Sequence, residues 1–250
     1  MRYARLPLAA VLLPSLILPF CLSQERQMPR NYPGVRTIVP GIFVTPVPNQ
    51  PFSAKLDIIS REKLPDGSFN IRTTTAQVAR TSSGRIYNER RALVTAAFQG
   101  APLLLSAHIY DPSSRLSIFL DPFSRLARET ILSQPPAPPP NTVPTEVAAP
   151  NPLYKEEDIG TQPLGSLTLR GIRKSRTVPA DQSGTGKEIV IVDEYWYSPD
   201  LSVYMIIKHN DPRTGEQIVA VTEVDRHEPN ASVFAIPASY KIVVETPNEQ

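Results

Sequence analysis

Three histidines, His108, His209 and His227, are the side chains of this chain best suited to hold a metal or move protons near neutral pH. They fall on separate strand-like stretches, and none sits in an HExxH pattern. A zinc site would need them to converge in space, and their spacing does not foreshadow it. Exposed or strand-end positions are the plainer reading. Ser183-Gly184-Thr185-Gly186-Lys187 invites comparison with a phosphate-binding loop. That motif needs Gly where Asp181 stands and Ser or Thr where Glu188 stands, and it leads into a helix, whereas a strand-like run follows here. It reads as a hairpin turn. No GxSxG elbow is present.

Asp193 and Glu194 precede Tyr195-Trp196-Tyr197. Two acids beside aromatic rings would suit glycoside chemistry, but neighbours on a strand point to opposite faces, so the carboxylates diverge. Arg170, Arg173, Lys174 and Arg176 form one basic cluster, read as a solvated strand edge with an anion-binding patch as the alternative. Asn230-Ala231-Ser232 matches a glycosylation sequon. None of this assembles a catalytic set. The expectation is a protein that is not an enzyme and carries no cofactor or metal.

The elements around these residues follow period two. Phe52, Ala54, Leu56 and Ile58 alternate with Ser53, Lys55 and Asp57, the pattern of a strand with one buried face. Turn chemistry at Pro65-Asp66-Gly67 and Ser82-Ser83-Gly84 divides residues 51–91 into a meander of three long strands. Asp111-Pro112, Asp121-Pro122 and Asp211-Pro212 each open a type I turn, because Asp bonds back to the backbone and Pro presets φ. Between the first two lies a short strand, Leu116 to Leu120. The stretch 88–107 is mixed, with a short helix expected near residues 92–98 and a buried strand from Leu103 to Tyr110. Strands resume over 164–178, 187–198, 201–209 and 217–227, with a bulge expected at Gly171. The fold class is therefore mainly β: a large curved antiparallel sheet or half-barrel with few short helices.

Seventeen of the 28 prolines fall in three segments, residues 1–23, 29–51 and 133–152. Residues 1–23 carry two arginines, no acid and an apolar run from Leu6 to Leu22, the pattern of a secretory signal cut after Ser23. Cys21 leaves lipid attachment as an alternative, although Phe20 stands where a small residue belongs. Without the two arginines, 24 Lys and Arg meet 24 Asp and Glu, so a mature chain is neutral overall and has no global attraction for nucleic acid. The run is too short and proline-broken to be a membrane span. Residues 24–50 read as a Pro-rich extended tether, 51–243 as a single β-rich domain interrupted by a Pro-rich loop at 133–152, and 244–250 as a flexible tail. The expected location is periplasmic or secreted.

Several segments carry a resemblance. They are Pro51-Phe52-Ser53-Ala54, Ser83-Gly84-Arg85-Ile86-Tyr87, Glu157-Asp158-Ile159-Gly160-Thr161, Glu194 to Leu201, Asp211 to Glu216, and Glu228-Pro229 with Phe234, Pro237 and Tyr240. Together they resemble a family of uncharacterised secreted proteins frequent in acidobacteria-like soil bacteria, and that resemblance implies no activity. More distantly the chain is similar to periplasmic lipoprotein-carrier-like proteins, the LolA-like superfamily. It shares their long meandering strands and the closing Phe-x-x-Pro-x-x-Tyr, but not their lid helices. This likeness implies a curved sheet around an apolar cavity. The expected function is non-enzymatic binding of an apolar or lipidated ligand, a lipid or lipoprotein, in the concave face. Phe52, Leu56, Ile58, Phe119, Trp196 and Met205 are the candidate lining, or plain core if the sheet closes tightly. The alternative is an envelope interaction or sensor module whose Pro-rich segment docks an envelope protein partner.

Overall fold

A computed structural model describes residues 39–134 and 151–245. The segment read as a secretory signal with Cys21, the start of the segment read as a tether, most of the Pro-rich stretch 133–152 and the last five residues lie outside the described residues. One 13-stranded sheet organises the rest. Its first meander comprises β1 (Phe52–Lys63), β2 (Phe69–Arg80), β3 (Ile86–Arg91), β4 (Val94–Thr95), β5 (Leu104–Asp111), β6 (Leu116–Asp121) and β7 (Leu126–Ile131). The second comprises β8 (Tyr154–Leu164), β9 (Leu167–Val178), β10 (Ile189–Ser198), β11 (Val203–Asp211) and β12 (Gly215–Asp225). β1 and β12 pair antiparallel and join the two. The strand order is β13-β7-β6-β5-β3-β2-β1-β12-β11-β10-β9-β8, with β13 (Lys241–Glu245) parallel to β7 and all other pairs antiparallel. The expected large antiparallel sheet is what forms, and it is open rather than closed into a barrel. No described helix is long and apolar enough to cross a membrane.

The expected helix near residues 92–98 is instead β4, which pairs with Arg72 and Thr73 of β2. The one helical turn described is a 3-10 turn at Ala231–Phe234. Gly171 is not itself the bulge. The irregularity lies across from it in β8, between Asp158 and Gly160. A Cβ at Gly171 would stand 2.6 Å from Ile159 Cγ1 and 2.7 Å from Trp196 Cζ3, so glycine lets the bulged strand and the indole close over it. The Asp-Pro turns form as expected. Asp111 Oδ1 accepts from Ser113 N at 2.9 Å and Ser113 Oγ at 2.6 Å, and Asp121 does the same with Phe123 N and Ser124 Oγ. Arg115 (φ 58°) and Arg125 (φ 52°) close these turns in the left-handed region, where the third turn has Gly215 (φ 107°).

The sheet curls toward one face. Arg80 at the end of β2 donates through Nη2 to the Leu201 carbonyl at 2.7 Å, bridging three strand positions that a flat sheet would hold roughly 14 Å apart. Inside this curve lies the main core, Phe52, Leu56, Ile58, Val78, Met205, Val219, Leu167 and Leu169 among others. Val39, Ile42 and Val44 join it. The last part of the segment read as a tether is thus extended chain laid along the inner face, held there because three apolar side chains are buried.

A second core sits on the outer face. Ala79, Ala107, Ile109, Ile118, Leu120 and Ala127 pack against Phe234. Residues 226–240 leave β12, cross over β3 and its neighbours, and deliver the chain to β13. The closing Phe-x-x-Pro-x-x-Tyr belongs to this crossing: Phe234 meets Tyr87 edge-on at 6.4 Å, Tyr240 packs on the same core, and its N–H bonds the Pro237 carbonyl at 2.9 Å.

Candidate functional site: a cavity on the inner face

Strand register decides where the inner face is filled. Reading across the sheet, Ala54 pairs with Val78, Val78 with Asn88, Asn88 with His108, His108 with Phe119 and Phe119 with Arg128. Paired residues point the same way, so these form one row on the inner face. The neighbouring outer row runs Ser53, Ala79, Tyr87, Ile109, Ile118, Glu129. The apolar row therefore changes sides between β2 and β3. β2 is buried on both faces at Val78, Ala79 and Arg80. Beyond Ile86 at the start of β3, the buried apolar residues of β5 to β7 face outward under Phe234, and the inner face is left with Asn88, Arg90, Ser106, His108, Tyr110 and Phe119.

Over this part of the inner face runs the chain 40–46, and between them lies a cavity of about 630 Å³. Pro40, Ile42, Phe43 and Pro46 form its roof, Val78, Ile86 and Tyr110 its inner wall, and Phe119 and Leu132 its mouth. Phe43 is 73% exposed, Phe119 44% and Leu132 42%. A second hollow of about 500 Å³ lies between the Pro229–Val233 crossing and Ser53, Lys55, Gln77 and Glu223, with a more polar wall.

Arg80 anchors the roof. Fully buried, it donates Nε to the Gln50 carbonyl at 2.9 Å, Nη1 to the Thr45 carbonyl at 2.7 Å and Nη2 to the Leu201 carbonyl and Gln50 Oε1, and it lies over the Phe52 ring at 5.0 Å. Burial lowers its pKa to about 10, which leaves it charged at neutral pH. Carbonyl dipoles take the place of a counter-ion.

The polar groups of the cavity lie along β3, β5 and β6. His108 Nε2 and Ser117 Oγ are 2.8 Å apart. Burial, and then the charge of Arg90, push the His108 imidazole below its ordinary pKa, so it is neutral above pH 7. The pair is not a catalytic triad: among the described residues no carboxylate orients the ring, and Ser117 is not part of the cavity wall. Asn88 Oδ1 is buried with no hydrogen-bond partner. Glu89, fully engaged, receives Arg91 Nε at 2.8 Å, Tyr87 Oη at 2.9 Å and the Gln77 N–H at 3.3 Å. Burial and that carboxylate hold the Tyr87 phenol far above its ordinary range.

Of the six lining candidates, Phe52, Leu56, Ile58 and Met205 lie sealed in the main core, Trp196 packs on its flank, and Phe119 stands on the cavity wall. The rest of the wall escaped sequence reading. One signal was available: the Asp111-Pro112 turn sets the β5–β6 hairpin register that places Tyr110 opposite Ser117 and His108 opposite Phe119. The roof left no such signal, because residues 40–46 show no alternation.

The other chemical candidates resolve into structure. His209 Nδ1 meets Asp193 Oδ1 at 2.6 Å, while Glu194 receives Arg173 at 2.7 Å and Lys208 at 3.5 Å, so the two acids have separate partners. Lys174 pairs with Glu156 at 3.2 Å, which leaves the basic cluster half neutralised. Ser183 Oγ bonds the Ala180 carbonyl and Thr185 Oγ1 inside a loop that leads into β10. Asn230 Oδ1 caps the 3-10 turn through Ser232 N. Among the described residues no group of three or more His, Cys, Asp or Glu gathers as a metal site.

No family model matches the sequence, and no curated protein matches it. Solved structures show likeness at low identity. An uncharacterized conserved protein from Thermus thermophilus is 8% identical with a TM-score of 0.40, covering 79% of this chain and 91% of that one. A chain of the Pseudomonas aeruginosa MucA/MucB complex is 11% identical with a TM-score of 0.40, covering 78% of this chain and 58% of that one, so this chain spans under two thirds of its length. A LolA superfamily protein from Nitrosomonas europaea is 13% identical with a TM-score of 0.29, covering 76% and 91%.

Proposed function

We propose that this protein is an extracytoplasmic, non-enzymatic binding protein that holds an apolar ligand in the inner-face cavity beneath residues 40–46. One observation carries the reading: an inner face left open from β3 onward, with about 630 Å³ bounded mainly by Ile42, Phe43, Ile86, Tyr110, Phe119 and Leu132. That volume falls in the range of about 300–1,000 Å³ usual for small-molecule sites. A wall of this kind gains by losing water, roughly 25 cal/mol for each Å² of apolar surface covered. Large exposed apolar side chains gathered at a mouth are costly to solubility and mark surfaces that meet a ligand. The secretory reading of residues 1–23 supports the compartment.

The test is uptake of an apolar fluorescent probe, N-phenyl-1-naphthylamine, by the purified full chain, with mass spectrometry of organic extracts beside it. Saturable fluorescence enhancement is expected, lost in Phe119→Glu while the circular dichroism spectrum is kept. Absence of both probe uptake and extractable apolar compounds would overturn the proposal.

A further inference from the structure

Arg90 is an exposed guanidinium on the cavity wall with no ion-pair partner among the described residues. The wall's one carboxylate, Glu89, is already held by Arg91 and Tyr87, and among the described residues no acid pairs with Arg90. The register sets Arg90 opposite Ser106, and the adjoining pair on the same face is Asn88 and His108. A guanidinium, a serine hydroxyl and an amide whose oxygen has no partner therefore stand together at one end of the wall. Phe119 stands on the other side of His108 in the row of Asn88, and one row further along the strands Ile86 lies opposite Tyr110. The guanidinium thus stands at one end of the wall, with Phe119 and then Ile86 and Tyr110 further along it.

We propose that the ligand is a long-chain monocarboxylate whose head pairs with the Arg90 guanidinium and whose tail lies over Ile86, Tyr110 and Phe119. The proposal rests on the cavity reading above and adds the class of molecule. A planar guanidinium matches a carboxylate with two parallel N–H···O bonds, the strongest form of such a contact. The Asn88 amide can turn about its last torsion and present its NH₂ to the same head. Charge count favours a monoanion. Among the described residues of the wall, Arg90 is the cation without an ion pair, and His108, neutral beside it, adds no second positive charge. A phosphate monoester carries roughly 1.5–2 negative charges at neutral pH, more than the single guanidinium of Arg90 can balance. A cationic head would meet Arg90 with repulsion.

Isothermal titration of the full chain near pH 7.5 with dodecanoate, dodecyl phosphate, dodecyltrimethylammonium and dodecanol tests both levels separately. Dodecanoate should bind tightest, at least about tenfold above dodecyltrimethylammonium, with affinity falling as salt rises. Arg90→Gln should cut the preference for dodecanoate over dodecanol about tenfold, and Arg90→Lys should restore part of it. A stronger affinity for dodecyl phosphate than for dodecanoate, or an unchanged preference in Arg90→Gln, overturns the carboxylate assignment while leaving the cavity in place. Failure of all four compounds, dodecanol included, overturns the cavity reading itself.

Discussion

Leu56 and Phe119 are large apolar side chains on the inner face of one sheet, four strand positions apart, and their surroundings differ completely. Leu56 has no exposed surface and touches the main core, while Phe119 is 44% exposed at the mouth of a cavity. The difference arises at β2. On one side of it β1, β12, β11 and β9 turn their apolar residues inward and fill the curve; on the other, β5, β6 and β7 turn theirs outward under Phe234. A single sheet can thus carry a packed core and an open binding face, provided a covering segment takes up the apolar residues on the far side. Here residues 226–240 do so.

If the roof of the open part is held from the filled part, breaking that tie should cost most. Arg80→Met leaves the Thr45, Gln50 and Leu201 carbonyls buried without their donor, each costing about 1–3 kcal/mol. Chemical denaturation should show a loss of about 4 kcal/mol or more. A loss below about 1 kcal/mol would mean that the roof is held by Ile42 and Val44 alone. Next come the two covered regions themselves. Leu56→Ala empties a site with no solvent access and should cost about 3–4 kcal/mol. Phe234→Ala uncovers the outer core at Tyr87 and should cost about 3 kcal/mol. Were Phe234→Ala nearly neutral, the outer cover would be dispensable, and the contrast between the two regions would lose its cause.

The acidic side of neutrality offers a finer probe of how dry the open face is. His108 titrates lower in the folded chain than its ordinary 6.5, because burial and Arg90 disfavour the imidazolium. The unfolded chain therefore takes up the proton first as pH falls below about 6.5, and folded stability declines from there until pH passes the lowered folded value. The turn carboxylates lose stability in the same direction but in a lower window. Hydrogen bonds from Ser113 and Ser124 hold Asp111 and Asp121 below 3.8, so their contribution persists until pH falls below about 4. Between pH 5 and 6.5 the slope should belong to His108 and flatten in His108→Gln, as read from denaturation midpoints at half-unit steps. An unchanged slope would mean a wetter inner face at β5.

Much of the scaffold was readable because local chemistry states it. The alternation from Phe52 to Ile58, the three Asp-Pro turns and the meander over residues 51–91 all formed as read. β8 was missed because it is an edge strand exposed on both faces, with Lys155, Glu156, Glu157 and Pro163 in place of an apolar row. The site was harder. Period two tells that Ile109 and Ile118 share a buried face but not which side of the sheet that face is. Choosing the side depends on strand register and on a covering segment more than a hundred residues later. Hence Phe52, Leu56, Ile58 and Met205 carried the same sequence signal as Phe119 and lie in filled space.

The smallest expected effect is the most telling about the two regions. Phe119→Ser removes a large aromatic side chain, a change that costs about 3–5 kcal/mol in a packed core. At Phe119 nearly half of the residue is already in water, and the space behind it is open rather than filled. No sealed void is created, because water enters from the mouth, and the serine hydroxyl is solvated where it stands. β6 keeps its backbone pairing to His108 and Arg128. Thermal and chemical unfolding should therefore shift by less than about 0.5 kcal/mol, an ordinary figure for a surface substitution, while uptake of the apolar probe falls sharply. A loss of about 2 kcal/mol or more would place Phe119 in a closed core and make β3 to β7 a second filled region, which removes the asymmetry that assigns this face to a ligand.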